Sequence, residues 1–315
     1  MNTSTLPPLI VIAGPTASGK SALATVLAER NDGVVINADS AQVYRDLRVV
    51  TARPSTDDEA RVPHRLFGHV DAADIGYNAA RWAGEARAVV ADVHDAGKLP
   101  ILVGGTGLYL RTLIDGIAPV PPIDHAIRAA VRALPVGEAH AALTALDPMA
   151  AERLHPNDTT RVHRALEVIR STGVPIAAWR ERGEGGIGDA IRLIATVLLP
   201  PRAWLEERIR RRAAAIVASG RDEIAGLLAR NLPSDAPIVR AIGVPELTRL
   251  VRGEADEATT RDALALATRR YAKRQYTWFG RQPPSHWTRT EQTDETKLLE
   301  LFGIMLRETP VDAQG

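Results

Sequence analysis

Eight consecutive residues, Gly14-Pro15-Thr16-Ala17-Ser18-Gly19-Lys20-Ser21, have the spacing of a phosphate-cradling loop. Its glycines let the backbone turn tightly and approach a ligand with no Cβ in the way. Successive amide N–H groups then converge on an anion at the positive end of a helix. Lys20 adds a point charge for the outer phosphate, and the Ser21 hydroxyl can hold Mg²⁺. A second segment, Ala38-Asp39-Ser40-Ala41-Gln42, offers a carboxylate that could bind Mg²⁺ through water or act as a general base. The competing reading of Asp39 is a turn or helix-cap residue. The third segment, Gly104-Gly105-Thr106-Gly107, puts glycines where many P-loop ATPases carry an acidic metal ligand. That substitution weighs against a standard ATPase, although Asp39 could supply a displaced ligand. Thr106 reads as the N-cap of the next helix, as a hydroxyl that orients Asp39 or a substrate group, or as both.

Chemistry of this kind needs strands that end side by side. Leu9–Ala13, Val34–Asn37, Arg65–Val70 and Leu99–Val103 read as strands, with helices expected at Lys20–Arg30, Asn78–Ala96 and Gly107–Asp115. The alternation predicts βαβ units and a parallel sheet with its ligand at the carboxyl ends of the strands. Asp39 lies beside the loop if strand order places the second strand near the first. A stiff break at Ala118-Pro119-Val120-Pro121-Pro122 opens an Ala-rich helical stretch that runs to Arg182. Within it, Asn157 or Asp158 could cap the helix that carries Arg161–Ile169. Gly183–Gly188 reads as a flexible exit, and Ile191–Leu199 as a return to the sheet. The expected fold class is therefore α/β: a P-loop NTPase-like parallel sheet core flanked by helices, with an inserted all-helical subdomain. Its parts are 1–118, the first part of the core; 119–188, the insertion; and 189–315, the second part with basic C-terminal helices.

The whole-chain charge of +1 over 315 residues decides nothing about nucleic acid, whereas its distribution does. Between Thr268 and Arg281 lie Arg269, Arg270, Lys273 and Arg274 with no acidic residue among them. At about 100° per residue these four share one side of a helix, next to an apolar side of Leu264, Ala267, Tyr271 and Trp278. A solvated helix surface is the ordinary explanation; four cations without an interleaved acid also suit a phosphodiester backbone. A second cluster comprises Arg208, Arg210, Arg211 and Arg212. Zero cysteine excludes disulfides and thiolate metal sites and fits a reducing cytosol. Met1–Pro8 carries no basic leader, the apolar run after it is only about five residues long, and the apolar stretch Ile191–Leu199 contains Arg192. A cytoplasmic protein with no membrane partner, acting as a monomer, is expected.

Taken together the motifs resemble the tRNA dimethylallyltransferases, a family of P-loop isopentenyltransferases. The resemblance rests on Gly14–Ser21, Asn37–Arg45 (NADSAQVYR), Leu102–Tyr109 (LVGGTGLY), His155–Glu167 (HPNDTTRVHRALE), Ala241-Ile242-Gly243 and Tyr271–Phe279 (YAKRQYTWF). Ser21 stands where threonine is common, and Val244-Pro245 where a tyrosine is usual. The resemblance implies transfer of a dimethylallyl group from dimethylallyl diphosphate to N6 of the adenosine 3′ to the anticodon, with Mg²⁺ as cofactor. It implies an insertion that grips the anticodon stem-loop of tRNA. Gly14, Pro15, Thr16, Ala17, Ser18, Gly19, Lys20 and Ser21 would hold diphosphate rather than ATP, and Arg212 would reach it. Asp39 would be the base at N6 with Thr106 beside it, and Asp39, Ser40, Ala41 and Gln42 would line the flipped adenosine. Arg128, Thr160, Arg161, Val162, His163 and Arg164 would contact tRNA. Two other readings compete: a small-molecule kinase that uses the loop for ATP, and a non-catalytic RNA-binding nucleotide switch.

Overall fold

A computed structural model of the chain describes residues 6–307. Leu9, Ile10, Val11, Ile12 and Ala13 are all apolar, so this strand suits a sheet covered on both faces. It forms β1 (Pro8–Ala13), followed by α1 (Lys20–Arg30), β2 (Gly33–Asn37), α2 (Thr56–Arg61), β3 (His64–Arg65), α3 (Ala79–Asp95), β4 (Leu99–Gly104) and α4 (Gly107–Asp115). Five helices come next: α5 (His125–Ala133), α6 (Val136–Leu146), α7 (Pro148–Arg153), α8 (Thr159–Thr172) and α9 (Ile176–Arg180). The chain then forms β5 (Arg192–Leu198), α10 (Arg202–Ser219), α11 (Arg221–Ala229), α12 (Val244–Val251), α13 (Glu257–Arg281), β6 (Thr288–Thr290) and α14 (Glu295–Arg307). Among the described residues no helix is long and apolar enough to cross a membrane.

All six strands are parallel, in the order β3-β2-β4-β1-β5-β6. β4 therefore separates β1 from β2, so the segment after β4 lies between the phosphate loop and Asp39 rather than beside them. The chain fills one side of β1 with β2, β3 and then β4, and later the other side with β5 and β6, the arrangement that leaves a ligand crevice at the carboxyl ends. The strand expected over Arg65–Val70 is only two residues long, with a single further bridge from Val70 to Tyr44. Leu66 and Gly68 turn into the left-handed region, at φ 62° and 56°, which no extended ladder can accommodate. On one face of the sheet, Leu27 of α1 and Phe302 of α14 pack with Ile10, Ile101 and Val103. Trp82 of α3 is fully buried, stacks on Tyr109 of α4 at 4.5 Å and donates its indole N–H to the Asn37 carbonyl.

The helix expected to carry Arg269, Arg270, Lys273 and Arg274 is α13, but its buried stripe is rotated from the apolar side expected. Leu264, Ala272, Gln275 and Phe279 are buried, while Ala267, Tyr271 and Trp278 are half-buried. A polar amide has taken a place on the inward stripe, and an aromatic phenol stands at its margin.

Contacts divide the chain into two compact units, Met1–Leu113 with Gly188–Gly315, and Ile114–Ile187. In the second unit, Val131, Leu143, Val162, Leu166 and Ile169 form a core of their own. The two ends of this unit meet in an antiparallel bridge between Ile117 and Glu184. Asp158 caps α8 by accepting from the Arg161 amide, and Gly173 ends the helix in the left-handed conformation. Val162, expected among the tRNA contacts, is fully buried among these apolar neighbours, so its side chain belongs to the core. Glu167 is buried too, and it pairs with Arg132 at 3.1 Å and Arg164 at 3.7 Å.

That pairing is asymmetric. The arginine side chains are 65% and 42% exposed, while the carboxylate is 4% exposed. Freed arginines return to water; a freed carboxylate stays buried. Glu167→Gln should therefore cost roughly 1–2 kcal/mol. Replacing Arg132 and Arg164 together with alanine should cost about 3–5 kcal/mol. Urea unfolding followed by circular dichroism ranks them, and the reverse order would show that water reaches Glu167.

Candidate active site at the carboxyl ends of the sheet

The loop between β1 and α1 is held from outside by three side chains distant in sequence. The Thr16 amide donates to Oε1 of Gln275 at 2.8 Å. Arg212 donates from Nη1 to the Thr16 hydroxyl at 3.1 Å, and Arg208 from Nε to the Ala17 carbonyl at 2.9 Å. Arg208 also lies over the Trp204 ring, 4.6 Å from its centroid. These contacts fix a backbone that includes a non-glycine residue at positive φ, Ala17 at 64°. Pro15 has no amide hydrogen and the Thr16 amide is spent on Gln275. The donors left for an anion are those leading into α1, where the helix start favours negative charge.

Lys20 opens α1 from a buried position, and its Nζ donates to the Pro15 carbonyl at 2.6 Å and to the Ser18 hydroxyl at 3.4 Å. Burial pushes its pKa down to about 7; Asp39 opposes that shift and Arg212 adds to it. Burial and the neighbouring Arg208 likewise lower the pKa of Arg212, with Asp39 opposing. Three cations, Lys20, Arg208 and Arg212, and one carboxylate thus share a cleft of about 170 Å³, which Ser21, Gln42 and Gly104 also line.

The Asp39 turn is built by a residue that motif spacing did not single out. Asn37, fully buried at the end of β2, accepts from the Asp39 amide at 2.8 Å and donates to the carbonyls of Asp39 and Leu66, each at 3.0 Å. The Asp39 carboxylate accepts from the Ala41 amide through Oδ1 at 2.9 Å. Gln42 donates to the carbonyls of Thr51 and Ala52 and so anchors the following loop. Thr106 does not bond Asp39 directly. Its hydroxyl accepts from the Ser40 amide at 2.9 Å and donates to the Ser40 hydroxyl at 3.2 Å, pinning the turn that carries the carboxylate. A Cβ on Gly104 would collide with the Ala38 carbonyl, so glycine is what allows the two loops to close.

Tyr271, expected on an apolar side, belongs to this site. Burial and the nearby Asp39 charge raise its phenol pKa, while hydrogen bonds with Thr106 and Gln275 and the charge of Arg274 oppose the rise. One signal pointed to Gln275: an amide on the side of the helix that also carries Leu264 and Phe279 must find buried partners. For Asn37 the signal was local, an amide at the end of an apolar strand that bonds the backbone two residues on; only its bond to Leu66 is tertiary.

The remaining cations divide. Arg269 pairs with Glu206 at 3.0 Å, so the acid missing from its own stretch of α13 comes from α10. Arg210 and Arg211 pair with Glu206 and Glu207. Arg270, Lys273 and Arg274 are exposed, with Arg274 over the Tyr271 ring. In the helical unit Thr160 and Arg161 are exposed, Arg161 paired with Asp158; His163, Arg164 and Arg128 are half-buried. Nε2 of His163 and Nε of Arg128 are buried without a hydrogen-bond partner.

Among the described residues no group of three or more His, Cys, Asp or Glu could hold a metal ion. The donor set in the cleft is instead an exposed Ser21 hydroxyl and the Asp39 carboxylate. Few protein oxygens, with the rest of the shell from phosphate and water, is the coordination that suits Mg²⁺.

Lys20 also sets a pH dependence. Its proton is held less tightly in the folded protein, near pH 7, than at the ordinary 10.5. The destabilisation is therefore full below pH 7 and fades as pH rises to about 10.5. In the absence of anionic ligands, Lys20→Met should melt several degrees above the parent at pH 6, the gap shrinking steadily toward pH 10. A gap that widens with pH in thermal melts would show that Lys20 is not strained by burial.

Relatives of the chain carry the same architecture. A family model described as IPP transferase matches residues 42–282. The tRNA dimethylallyltransferase of Sphingopyxis alaskensis is 55% identical over 303 residues, covering 96% of this chain and 99% of its own. That of Erythrobacter litoralis is 52% identical over 302 residues, covering 94% and 95%. The crystal structure of the full-length tRNA isopentenylpyrophosphate transferase from Bacillus halodurans matches with a TM-score of 0.67 at 32% identity, over 96% of this chain and 97% of that one. A eukaryotic dimethylallyltransferase captured acting on tRNA matches with a TM-score of 0.75 at 27% identity, over 86% of this chain and 69% of that one. With a parallel P-loop-like sheet, these motifs and relatives similar along nearly their full length, this chain belongs to the IPP transferase family.

Proposed function

We propose that the protein transfers a dimethylallyl group from dimethylallyl diphosphate to N6 of the adenosine 3′ to the anticodon in tRNA, releasing diphosphate. The observation that carries this reading is the placement of Lys20, Arg212 and Asp39 around one cleft, cations for a leaving anion and a carboxylate for a proton. The kinase and nucleotide-switch alternatives are not favoured.

The allylic carbon–oxygen bond breaks as negative charge grows on the diphosphate. The amides at the start of α1, Lys20 and Arg212 are held in place to receive that charge. Mg²⁺, which the Ser21 hydroxyl would hold, would add positive charge against the departing group. The carbon end is a delocalised cation, so the site must exclude water that would capture it as an alcohol. Adenine N6 is a poor nucleophile and a very weak acid, and Asp39 does not deprotonate it in advance. As the nitrogen–carbon bond forms the nitrogen becomes acidic, and Asp39 accepts its proton. Reaching N6 requires extrusion of the base, which costs a few kcal/mol and less in a loop.

The exposed Arg270, Lys273 and Arg274 and, in the helical unit, Thr160 and Arg161 are our candidates for phosphate and stem-loop contacts, with Arg128, His163 and Arg164 as partly buried members. A tRNA substrate and a cysteine-free chain support a cytoplasmic location.

Incubation with Mg²⁺, dimethylallyl diphosphate and unmodified tRNA, followed by digestion and mass analysis of nucleosides, should give prenylated adenosine only when both substrates are present. Asp39→Ala should lower the rate by roughly 10²–10⁴-fold while tRNA affinity stays within a few-fold. Loss of tRNA binding in that variant would make Asp39 a recognition residue. Folded parent protein that binds tRNA yet yields no product would sink the transferase reading.

A further inference from the structure

We propose that Gln275 is a positioning residue that sets the spacing between the loop holding the donor diphosphate and the loop holding the catalytic carboxylate. The inference rests on the transferase reading above. Its side chain is buried between two backbone segments. Oε1 accepts from the Thr16 amide at 2.8 Å, and Nε2 donates to the Gly105 carbonyl at 2.8 Å. Ala13 and Gly104 are the last paired residues of β1 and β4. Past them Gln275 hydrogen-bonds to both loops at once.

The link continues to the carboxylate. Gly105 precedes Thr106, whose amide donates to the Ala38 carbonyl at 3.2 Å and whose hydroxyl holds the Ser40 amide. A shift of Gly105 therefore moves both flanks of Asp39. Gly105 itself is cut to fit, because a Cβ there would collide with Nε2 of Gln275. Among the side chains, a primary amide of this length accepts at one atom and donates at the other. An ionised glutamate accepts but cannot donate, and leucine does neither. Donor carbon and adenine nitrogen must meet at near-contact distance, and a displacement of about 1 Å can cost roughly 10²-fold in rate.

Gln275→Glu separates this role from a merely structural one. Above neutral pH its carboxylate can accept from Thr16 but loses the bond to Gly105; once protonated it can donate again. The groups that will bias that proton are Lys20 on α1, Asp39 after β2, Arg208 and Arg212 on α10, and Tyr271 and Arg274 on α13. Single-turnover prenylation at saturating tRNA and donor is measured for parent, Gln275→Glu and Gln275→Leu across pH 5.5–8.5. Inorganic diphosphate binding and thermal melting are measured on the same preparations.

We expect both variants at pH 8 to be slowed by roughly 10²-fold, with diphosphate affinity changed far less than the rate. As pH falls, the ratio of Gln275→Glu to parent should climb, while that of Gln275→Leu stays flat. A Gln275→Glu ratio independent of pH, parent-like rates in both variants, or diphosphate binding lost in step with the rate would overturn the proposal. Should a variant not fold, Gly105→Ala tests the same link from the other side: it must show the same rate loss with diphosphate binding retained, and parent-like turnover would overturn the proposal. A parent protein that forms no prenylated adenosine refutes the transferase reading, and with it this role for Gln275; product from the parent with unchanged variants refutes the role alone.

Discussion

Three parallel strands end side by side, and the loops beyond β1, β4 and β2 must occupy space that a single side chain at Gly104 would fill. Because that residue has no Cβ, the Ala38 carbonyl can approach the β4 end and accept from the Thr106 amide. That contact draws the Asp39 turn to one side of the β4 loop, while the parallel ladder keeps the phosphate loop on the other. Asn37 and Thr106 then hold the turn from opposite sides, one through Asp39 and the other through Ser40. The carboxylate owes its place to backbone hydrogen bonds, not to a partner of its own side chain alone. Such a turn can present an oxygen to a substrate without reorganising, which is what an electrostatically prepared site requires.

The charge distribution around this junction is unfavourable for the protein by itself. Burial weakens the hold of Lys20 and Arg212 on their protons, Arg212 adds to the effect on Lys20 and Arg208 to that on Arg212, with Asp39 the nearby compensation for both. A diphosphate would relieve the imbalance, so the strain that weakens the fold is the strain that favours the ligand. Arg208 and Gln275 serve a different purpose: they hold backbone atoms of the loop, including Ala17 in a conformation that non-glycine residues seldom adopt. Bracing groups thus come from α10 and α13, whereas binding groups come from α1, the sheet ends and, through Arg212, α10 as well.

The helical unit follows the logic of a small independent core. Its apolar side chains, Val162 included, face inward, and Glu167 is the charge they enclose. Two arginines neutralise that carboxylate from the surface, so Arg164 has a structural partner whatever else it touches. Thr160 and Arg161, at the exposed start of α8, have no such burial.

Much of this was legible in the chain itself. The glycine spacing from Gly14 to Ser21, the apolar strand before it and the helix after it are local patterns, and local patterns dictate backbone conformation. The same holds for the helical stretch after Pro122 and for the Asp158 cap, because caps and periodicity act within a few residues. The chemistry at Asp39 could be suspected from its place just past a buried strand. Other features depended on contacts between residues far apart in sequence. Strand order, which interposed β4 between β1 and β2, is set by how helices cover the sheet and not by any strand's own residues. The rotation of the buried stripe of α13, which brings Gln275 and Tyr271 into the site, reflects what that helix packs against. Leu66 looked extended by composition, yet its left-handed turn ended the strand. The sequence by itself determined which segments could bind phosphate and carry a carboxylate, since that needs only residue type and spacing. The tertiary structure alone decided which side chains brace those segments, since a hydrogen bond across 259 positions of chain exists only after the sheet and its helices have assembled.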